Sequence, residues 1–361
     1  MTKLRVGVIF GGRSGEHEVS IASAASIFMH LDRQRYEAVP IRIEKDGRWV
    51  LTGKVPTAIS AAEVLQQSTS EVLQTIEPTA AVSRSGIDVV FPVLHGTYGE
   101  DGTVQGLLEL ANVPYVGCGV LASAVGMDKS VMKKLFADRG LPVGPYAVAL
   151  RHEWQRDAAG ITTRVREDLA YPVFVKPANL GSSVGISKAK SDADFNEAME
   201  LALQFDRKVV IEAAVPNARE IECAVLGNDE PDASLPGEVI PSREFYDYEA
   251  KYIDAASQTL VPAPLSDSQT AEIRRMSIEA FKAVDGSGMA RVDFLLSRDT
   301  AQIFVNEVNT IPGFTTISMY PKMWEATGLA YPRLLDRLIQ LAIERHGEKQ
   351  RLRTSVTDER R

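Results

Sequence analysis

Two cysteines in 361 residues, Cys118 and Cys223, are too few for a disulfide framework or a cysteine-based zinc site, and they point to a reducing compartment. The expected setting is the cytoplasm. No apolar run approaches the roughly 20 residues that span a bilayer. Residues 1–12 read as a short strand entering a glycine turn, without the long apolar core and small-residue cleavage site of a signal peptide. No membrane partner is expected. Basic excess is absent too: 40 Lys and Arg against 48 Asp and Glu leave a net charge of −8, which argues against nucleic acid as the main partner. The segment from Gly47 to Val55 has one residue too many for a Walker loop and no Ser or Thr at its end, and no His-x-x-x-His helix occurs. There is no internal repeat or low-complexity tract. What remains is a globular composition, 45% hydrophobic and 24% charged, long enough for two or three domains and a sizeable core.

The apolar run 4–10, the glycines that follow it and the helical spacing of 19–31 predict a βα unit. Strands are expected at 37–43 and 87–94, the latter buried enough by composition for a parallel sheet, so the N-terminal region reads as doubly wound. Residues 54–85 are polar and rich in Ala, Ser and Thr, and read as helix and loop. A helix over 131–139 stops at Gly140-Leu141-Pro142, a candidate domain break. Strands at 172–177, 184–188 and 208–212 with a helix at 192–205 make a small α+β unit. A third region follows, with strands at 220–226, 288–296 and 302–308 and helices at 267–284 and 332–345. From Gly347 the chain is charged, poor in apolar residues and expected to be disordered.

Side chains two apart on a strand share a face. Glu307 and Asn309 therefore offer oxygen atoms to one cation before the chain breaks at Pro312-Gly313, and Arg291 and Asp293 repeat the spacing on a neighbouring strand. Oxygen donors of this kind suit Mg²⁺ with substrate phosphates; alternatively the four sit on the solvated face of a hairpin. The stretch from His95 to Gly106 has four glycines and follows a buried strand, where open α/β sheets bind ligands; a turn capped by Asp101 or Thr103 explains its acids but not His95.

Gly11-Gly12-Arg13-Ser14-Gly15-Glu16-His17-Glu18 opens a helix without dinucleotide spacing, and its acids suit either a substrate ammonium or the helix dipole. Lys176 ends a strand ahead of Gly181-Ser182-Ser183-Val184-Gly185. Although that pentapeptide has the form of a nucleophile elbow, a strand-like segment follows it, so it reads as a phosphate cover or a plain hairpin. The segment from Phe245 to Tyr252 packs three tyrosines among charges without period, as an active-site lid or as exposed structural aromatics.

Taken in order, these motifs, together with Met127-Asp128-Lys129, Tyr246 to Tyr252, Arg291-Val292-Asp293 and Glu307-Val308-Asn309-Thr310-x-Pro312-Gly313, resemble the D-alanine–D-alanine ligase family of the ATP-grasp superfamily over residues 3–346. The resemblance implies an α/β, three-domain ATP-grasp fold. Residues 1–126 would form a Rossmann-like substrate domain, 127–216 a central domain with the phosphate loop, and 217–346 a C-terminal domain with lid and metal site, before the tail 347–361. It also implies ATP-driven joining of two D-alanines through a D-alanyl phosphate for peptidoglycan precursors, and a homodimer.

On the same resemblance, Asp293, Glu307 and Asn309 would hold two Mg²⁺ ions, a role open to Mn²⁺. Lys129 and Lys176 would bind the nucleotide phosphates, Glu220 the ribose, and the backbone from Glu212 through Ala213 to Val215 the adenine edge, with Ser182, Ser183, Lys251 and Asn306 as further nucleotide contacts. Ala213 stands where the family pattern has lysine. Glu16 would take the first ammonium and His95 would lie near its carboxyl group. Arg291 and the Gly313 N–H would stabilise the oxyanion. Ser318 and the Met319 backbone would receive the second carboxylate, Lys251 would also contact substrate, and Tyr252, Ser182 and Glu16 would order the lid. Tyr252 favours a dipeptide over a depsipeptide product. A different ATP-grasp ligase or carboxylase, and a non-enzymatic nucleotide or amino-acid sensor, are the competing functions.

Overall fold

The computed structural model describes residues 3–52, 55–58, 60–66, 74–83, 86–181, 184–240 and 258–353. The N-terminal third runs β1 (Leu4–Gly11), α1 (His17–His30), β2 (Tyr36–Ile43), β3 (Trp49–Leu51), α2 (Ala61–Gln66), β4 (Gln74–Thr75), α3 (Pro78–Ser83), β5 (Val89–Val93), α4 (Thr103–Leu110), α5 (Val120–Met127) and α6 (Lys129–Asp138). Its sheet has the order β4-β3-β2-β1-β5. The expected parallel strands β2, β1 and β5 lie together, and β3 and β4 extend them antiparallel. Successive β1 side chains enter opposite layers: Val6, Val8 and Phe10 pack with Ile27 and Phe28 of α1, while Ile9 packs with Val104 and Leu108 of α4. That alternation, buried on both faces, is why β1 reads as an unbroken apolar run.

The middle region contributes β6 (Tyr146–Leu150), α7 (Arg151–Asp168), β7 (Val173–Pro177), β8 (Ser187–Ala189), α8 (Asp192–Phe205) and β9 (Lys208–Ala213), with an antiparallel sheet in the order β6-β9-β7-β8. The Ser191 side chain caps α8 by accepting the Asp194 N–H. The last region contains β10 (Ala218–Gly227), β11 (Asp232–Ala233), β12 (Gly237–Ile240), β13 (Gln258–Leu260), α9 (Asp267–Ala283), β14 (Gly288–Ser297), β15 (Ile303–Asn309), α10 (Met319–Ala326) and α11 (Tyr331–Gln350). Its sheet order is β13-β12-β10-β14-β15, with β11 on β10. Gly347, expected to begin a disordered tail, lies inside α11, where Leu341 and Ala342 of the preceding turns are buried and extend the helix past its charged end.

The C-terminal helix completes the N-terminal core. Leu334, Leu335, Leu338 and Ile339 of α11 share one apolar cluster with Val6, Val8 and Phe10 of β1 and Phe91 of β5. Arg345 adds polar ties: its guanidinium donates to the Gly117 and Tyr115 carbonyls and to Ser287 Oγ, and stacks 4.5 Å over the Tyr115 ring. The three sheets leave between them a cavity of about 440 Å³.

Candidate active site

Strands β14 and β15 pair antiparallel with Asp293 opposite Glu307 and Arg291 opposite Asn309, so the four expected side chains stand on one cavity wall. Arg291 grips Asp293 through two 2.7 Å hydrogen bonds, from Nε to Oδ1 and from Nη2 to Oδ2. Asn309 Nδ2 donates to Asp293 Oδ2 at 2.9 Å. The register on the other side puts Glu222 of β10 opposite Asp293, and its Oε2 lies 3.2 Å from Arg291 Nε. One arginine therefore neutralises two of three acids aligned across three strands. A fork of this kind fixes direction as well as charge.

The opposite wall carries lysines. Lys129 Nζ donates to the Leu180 carbonyl at 2.6 Å and lies 3.6 Å from Glu307. Lys176, at the end of β7, donates to Glu212 Oε2 at 2.8 Å. The other Glu212 oxygen lies 3.3 Å from Lys133 Nζ, whose side chain is 2% exposed. Burial alone would raise the Glu212 pKa, but the two cations bring it down to about 2. Burial likewise opposes charge on Lys176, yet Glu212 holds its pKa above the ordinary value. The Lys176 ammonium is thus secured in its charged form. Ala213, Val215, Glu220 and Asn306 line the same cavity.

The third wall comes from the N-terminal sheet. Glu16, buried at the mouth of α1, faces the cavity beside His95 and Glu100. Gly96, at φ +74°, leaves room for it: a Cβ there would stand 3.0 Å from Glu16 Oε2. The buried His95 ring pairs through Nδ1 with the Ile311 carbonyl at 3.1 Å, which assigns the hydrogen to Nδ1. Its Nε2 faces Ser23 Oγ at 3.5 Å. Burial, partly offset by Glu16, lowers the His95 pKa, so the ring is neutral at pH 7. At the far end of the cavity Gly313 abuts Ser318, where a Cβ would come within 2.8 Å of Ser318 Oγ. Ser318 Oγ accepts the Thr315 N–H at 2.9 Å ahead of α10, and Met319 begins that helix.

Two family models match the chain, the D-ala D-ala ligase N-terminus over residues 5–118 and the D-ala D-ala ligase C-terminus over 135–340. The chain belongs to the D-alanine–D-alanine ligase family. It is 51% identical over 360 residues to the D-alanine–D-alanine ligase of Heliobacterium modesticaldum, covering 97% of this chain and 98% of that one. The ligase of Caldicellulosiruptor bescii is 51% identical over 363 residues, with 98% and 99% covered. Among solved structures, the D-alanine–D-alanine ligase of Coxiella burnetii superposes with a TM-score of 0.80 at 40% identity, over 96% of each chain. The VanG D-Ala:D-Ser ligase of Enterococcus faecalis gives 0.82 at 35% identity, over 94% of this chain and 100% of that one. The fold is accordingly the mixed α/β ATP-grasp type expected.

Most of the residues expected of a D-alanine–D-alanine ligase line one cavity: Glu16, His95, Lys129, Lys176, Arg291, Asp293, Glu307, Asn309, Gly313, Ser318 and Met319. Ser182, Ser183, Lys251 and Tyr252 lie outside the described residues. The Glu212 side chain is committed to two lysines, which leaves its backbone and that of Ala213 and Val215 on the cavity lining. Lys133, Glu100 and Glu222 are additional. Lys133 follows Lys129 by one helical turn, a spacing that places both on one face of α6 and was there to be found.

Proposed function

We propose that this ligase joins two D-alanines to D-alanyl-D-alanine with ATP, for the assembly of peptidoglycan precursors. The observation that carries this is the meeting, in one cavity, of the Asp293, Glu307 and Asn309 oxygens, the Lys129 and Lys176 ammoniums, and Glu16 with His95. The first carboxylate attacks the γ-phosphorus, the bond to the ADP oxygen breaks, and a D-alanyl phosphate results. The second amine then attacks the acyl carbon, phosphate leaves, and the amine's proton is lost.

Glu16 holds the first ammonium, with Gly96 leaving room for its side chain. Lys129 and Lys176 orient the ATP phosphates, the latter kept charged by Glu212. Arg291, already held rigid by Asp293, presents its remaining N–H groups to the oxyanion together with the Gly313 N–H, so little reorganisation is needed when charge develops. Ser318 and the Met319 N–H, at the positive end of α10, receive the second carboxylate.

Among the described residues no group of three or more His, Cys, Asp or Glu side chains could hold a metal ion. The set here is instead two carboxylates and an amide. It fits Mg²⁺, which takes few protein oxygens and completes its shell with water and phosphate. Asp293, Glu307 and Asn309 would hold two ions, with Asn309 turning its amide oxygen inward. Bound there, the ions neutralise charge on the phosphates. Buried, unbridged Cys118 and Cys223 support a cytoplasmic setting.

The direct test is phosphate release from Mg²⁺-ATP with D-alanine, L-alanine, or D-alanine plus D-lactate or D-serine, with products weighed by mass spectrometry. D-alanine-dependent phosphate and the D-Ala-D-Ala mass are expected. A mixed D-Ala-D-Ser or depsipeptide product in preference would move the acceptor assignment, and silence with all of them would overturn the reaction.

A further inference from the structure

The Pro312–Gly313 peptide, whose N–H serves the oxyanion in the proposed reaction, lies between two peptides that side chains of the N-terminal region hold. Upstream, the His95 Nδ1–H donates to the Ile311 carbonyl at 3.1 Å. Downstream, the Phe314 N–H donates to Ser23 Oγ of α1 at 3.2 Å. With its hydrogen on Nδ1, the His95 ring offers Nε2 as an acceptor, and Ser23 Oγ stands 3.5 Å from that nitrogen. The Ser23 hydroxyl thus takes the Phe314 N–H and turns its own hydrogen toward His95. A ring of contacts runs from the Ile311 carbonyl through His95 and Ser23 to the Phe314 N–H, and it encloses the Gly313 N–H.

The other side of Phe314 is held as well. Its carbonyl accepts from the Tyr331 hydroxyl of α11 at 2.9 Å. That hydroxyl meets Ser26 Oγ, one turn beyond Ser23, at 3.1 Å, and the Tyr331 ring stacks on His30 with centroids 4.3 Å apart. Ser23 and Ser26 are fully buried, and neither they nor Tyr331 lines the cavity. Buried hydroxyls cost stability unless they are bonded, so these three are explained by the backbone they hold and not by contact with substrate.

Gly313 is what makes such bonds necessary. A Cβ there would come within 2.8 Å of Ser318 Oγ, a contact that displaces the hydroxyl, and glycine has the widest backbone freedom of any residue. The Pro312 ring fixes one torsion, φ near −65°. Three remain between the flanking peptides, ψ of Pro312 and both torsions of Gly313. With both flanking planes held they can change only in concert, and the N–H between them keeps its direction.

We propose that Ser23 and Tyr331 are positioning residues that hold Phe314 by its N–H and its C=O and, with His95, set the Gly313 N–H where the tetrahedral oxyanion forms. The inference rests on the ligase reaction proposed above. A donor turned from its place loses most of its worth when charge develops, while the binding of substrates is nearly untouched.

The experiment compares wild type, Ser23→Ala, Tyr331→Phe and a control, Tyr36→Phe. The Tyr36 hydroxyl also bonds α11, through Asp336, and Tyr36 does not line the cavity. Its loss therefore reports what a missing hydroxyl bond to α11 does without any change at Phe314. Dipeptide formation gives kcat and the KM values for ATP and D-alanine. Scrambling of oxygen-18 between the βγ-bridge and β-nonbridge positions of ATP, with D-alanine present, follows the first phosphoryl transfer alone. Thermal melting reports folding. The kcat for dipeptide should fall about 10-fold or more in Ser23→Ala and about threefold or more in Tyr331→Phe. In both, KM for ATP and oxygen scrambling should stay within about twofold of wild type. Tyr36→Phe should melt lower and keep kcat within about twofold. Wild-type kcat in Ser23→Ala or in Tyr331→Phe, scrambling that falls in step with dipeptide, or an equal loss of kcat in Tyr36→Phe would overturn the assignment. Should Ser23→Ala fail to fold, Tyr331→Phe, which keeps the ring, decides by the same criteria. A wild-type enzyme that scrambles oxygen but makes no dipeptide would instead count against the proposed reaction.

Discussion

Glu212 shows how a single side chain is committed by its neighbours. Lys176 and Lys133 both converge on it, and Lys133 Nζ also approaches the Asn306 carbonyl at 3.4 Å, one residue before Glu307. Burial lowers the Lys133 pKa and Glu212 raises it, with burial the stronger. Removing that cation leaves a buried carboxylate with half its compensation, a change that costs about 3 kcal/mol or more when one partner of a buried pair is lost. Lys133→Met should accordingly lower the urea midpoint and raise KM for ATP about tenfold, with KM for D-alanine unchanged; equal rises in both constants would argue against a nucleotide-side role. The acids of the β14–β15 face were legible from their spacing, because period two on a strand decides which way a side chain points. Glu222 was not, since its partner Arg291 is brought to it by another strand of the sheet.

Helices announced themselves by their ends as much as by their faces. The helix expected over 192–205 is α8 to the residue, because Ser191 stops the chain in extended conformation and takes the Asp194 N–H. Ser266 and Gln269 form a capping box at the start of α9, one residue before the expected boundary. Ser266→Ala should cost about 1 kcal/mol, read as a lower melting temperature with kcat unaltered; no shift would mean that the exposed cap contributes nothing. By contrast α7 escaped notice. Its buried Trp154, Ile161 and Val165 are spread among charges, and Asp157 at φ −150° interrupts the turn between them. Strands β11, β12 and β13, of two to four residues, are too short to show a period; β11 and β12 form on β10, and β13 forms on β12.

For the molecule as a whole, protonation sets the acid limit. His95 and His17 have pKa values lowered by burial from 6.5, so the unfolded chain binds more protons and stability declines as pH falls below 6.5. Glu212, brought from 4.5 to about 2, adds a second loss as pH falls below 4.5. Glu100 acts in the opposite sense, because its raised pKa favours the folded state at low pH and that advantage fades as pH rises from 4.5 to about 8. In Glu100→Gln, therefore, the urea midpoint should fall in two stages, below 6.5 and again below 4.5; a flat midpoint between 4.5 and 6.5 would contradict the histidine assignment.

The placement of α11 has a meaning for biosynthesis. Val6, Val8 and Phe10 are made long before Leu334, Leu338 and Ile339, which share their apolar cluster. A chain emerging from the ribosome therefore carries that face of the sheet covered in part by α1 and still open elsewhere until α11 is made. Only when α11 is released can Arg345 reach the Tyr115 and Gly117 carbonyls and fasten the segment between α4 and α5 to the C-terminal helix.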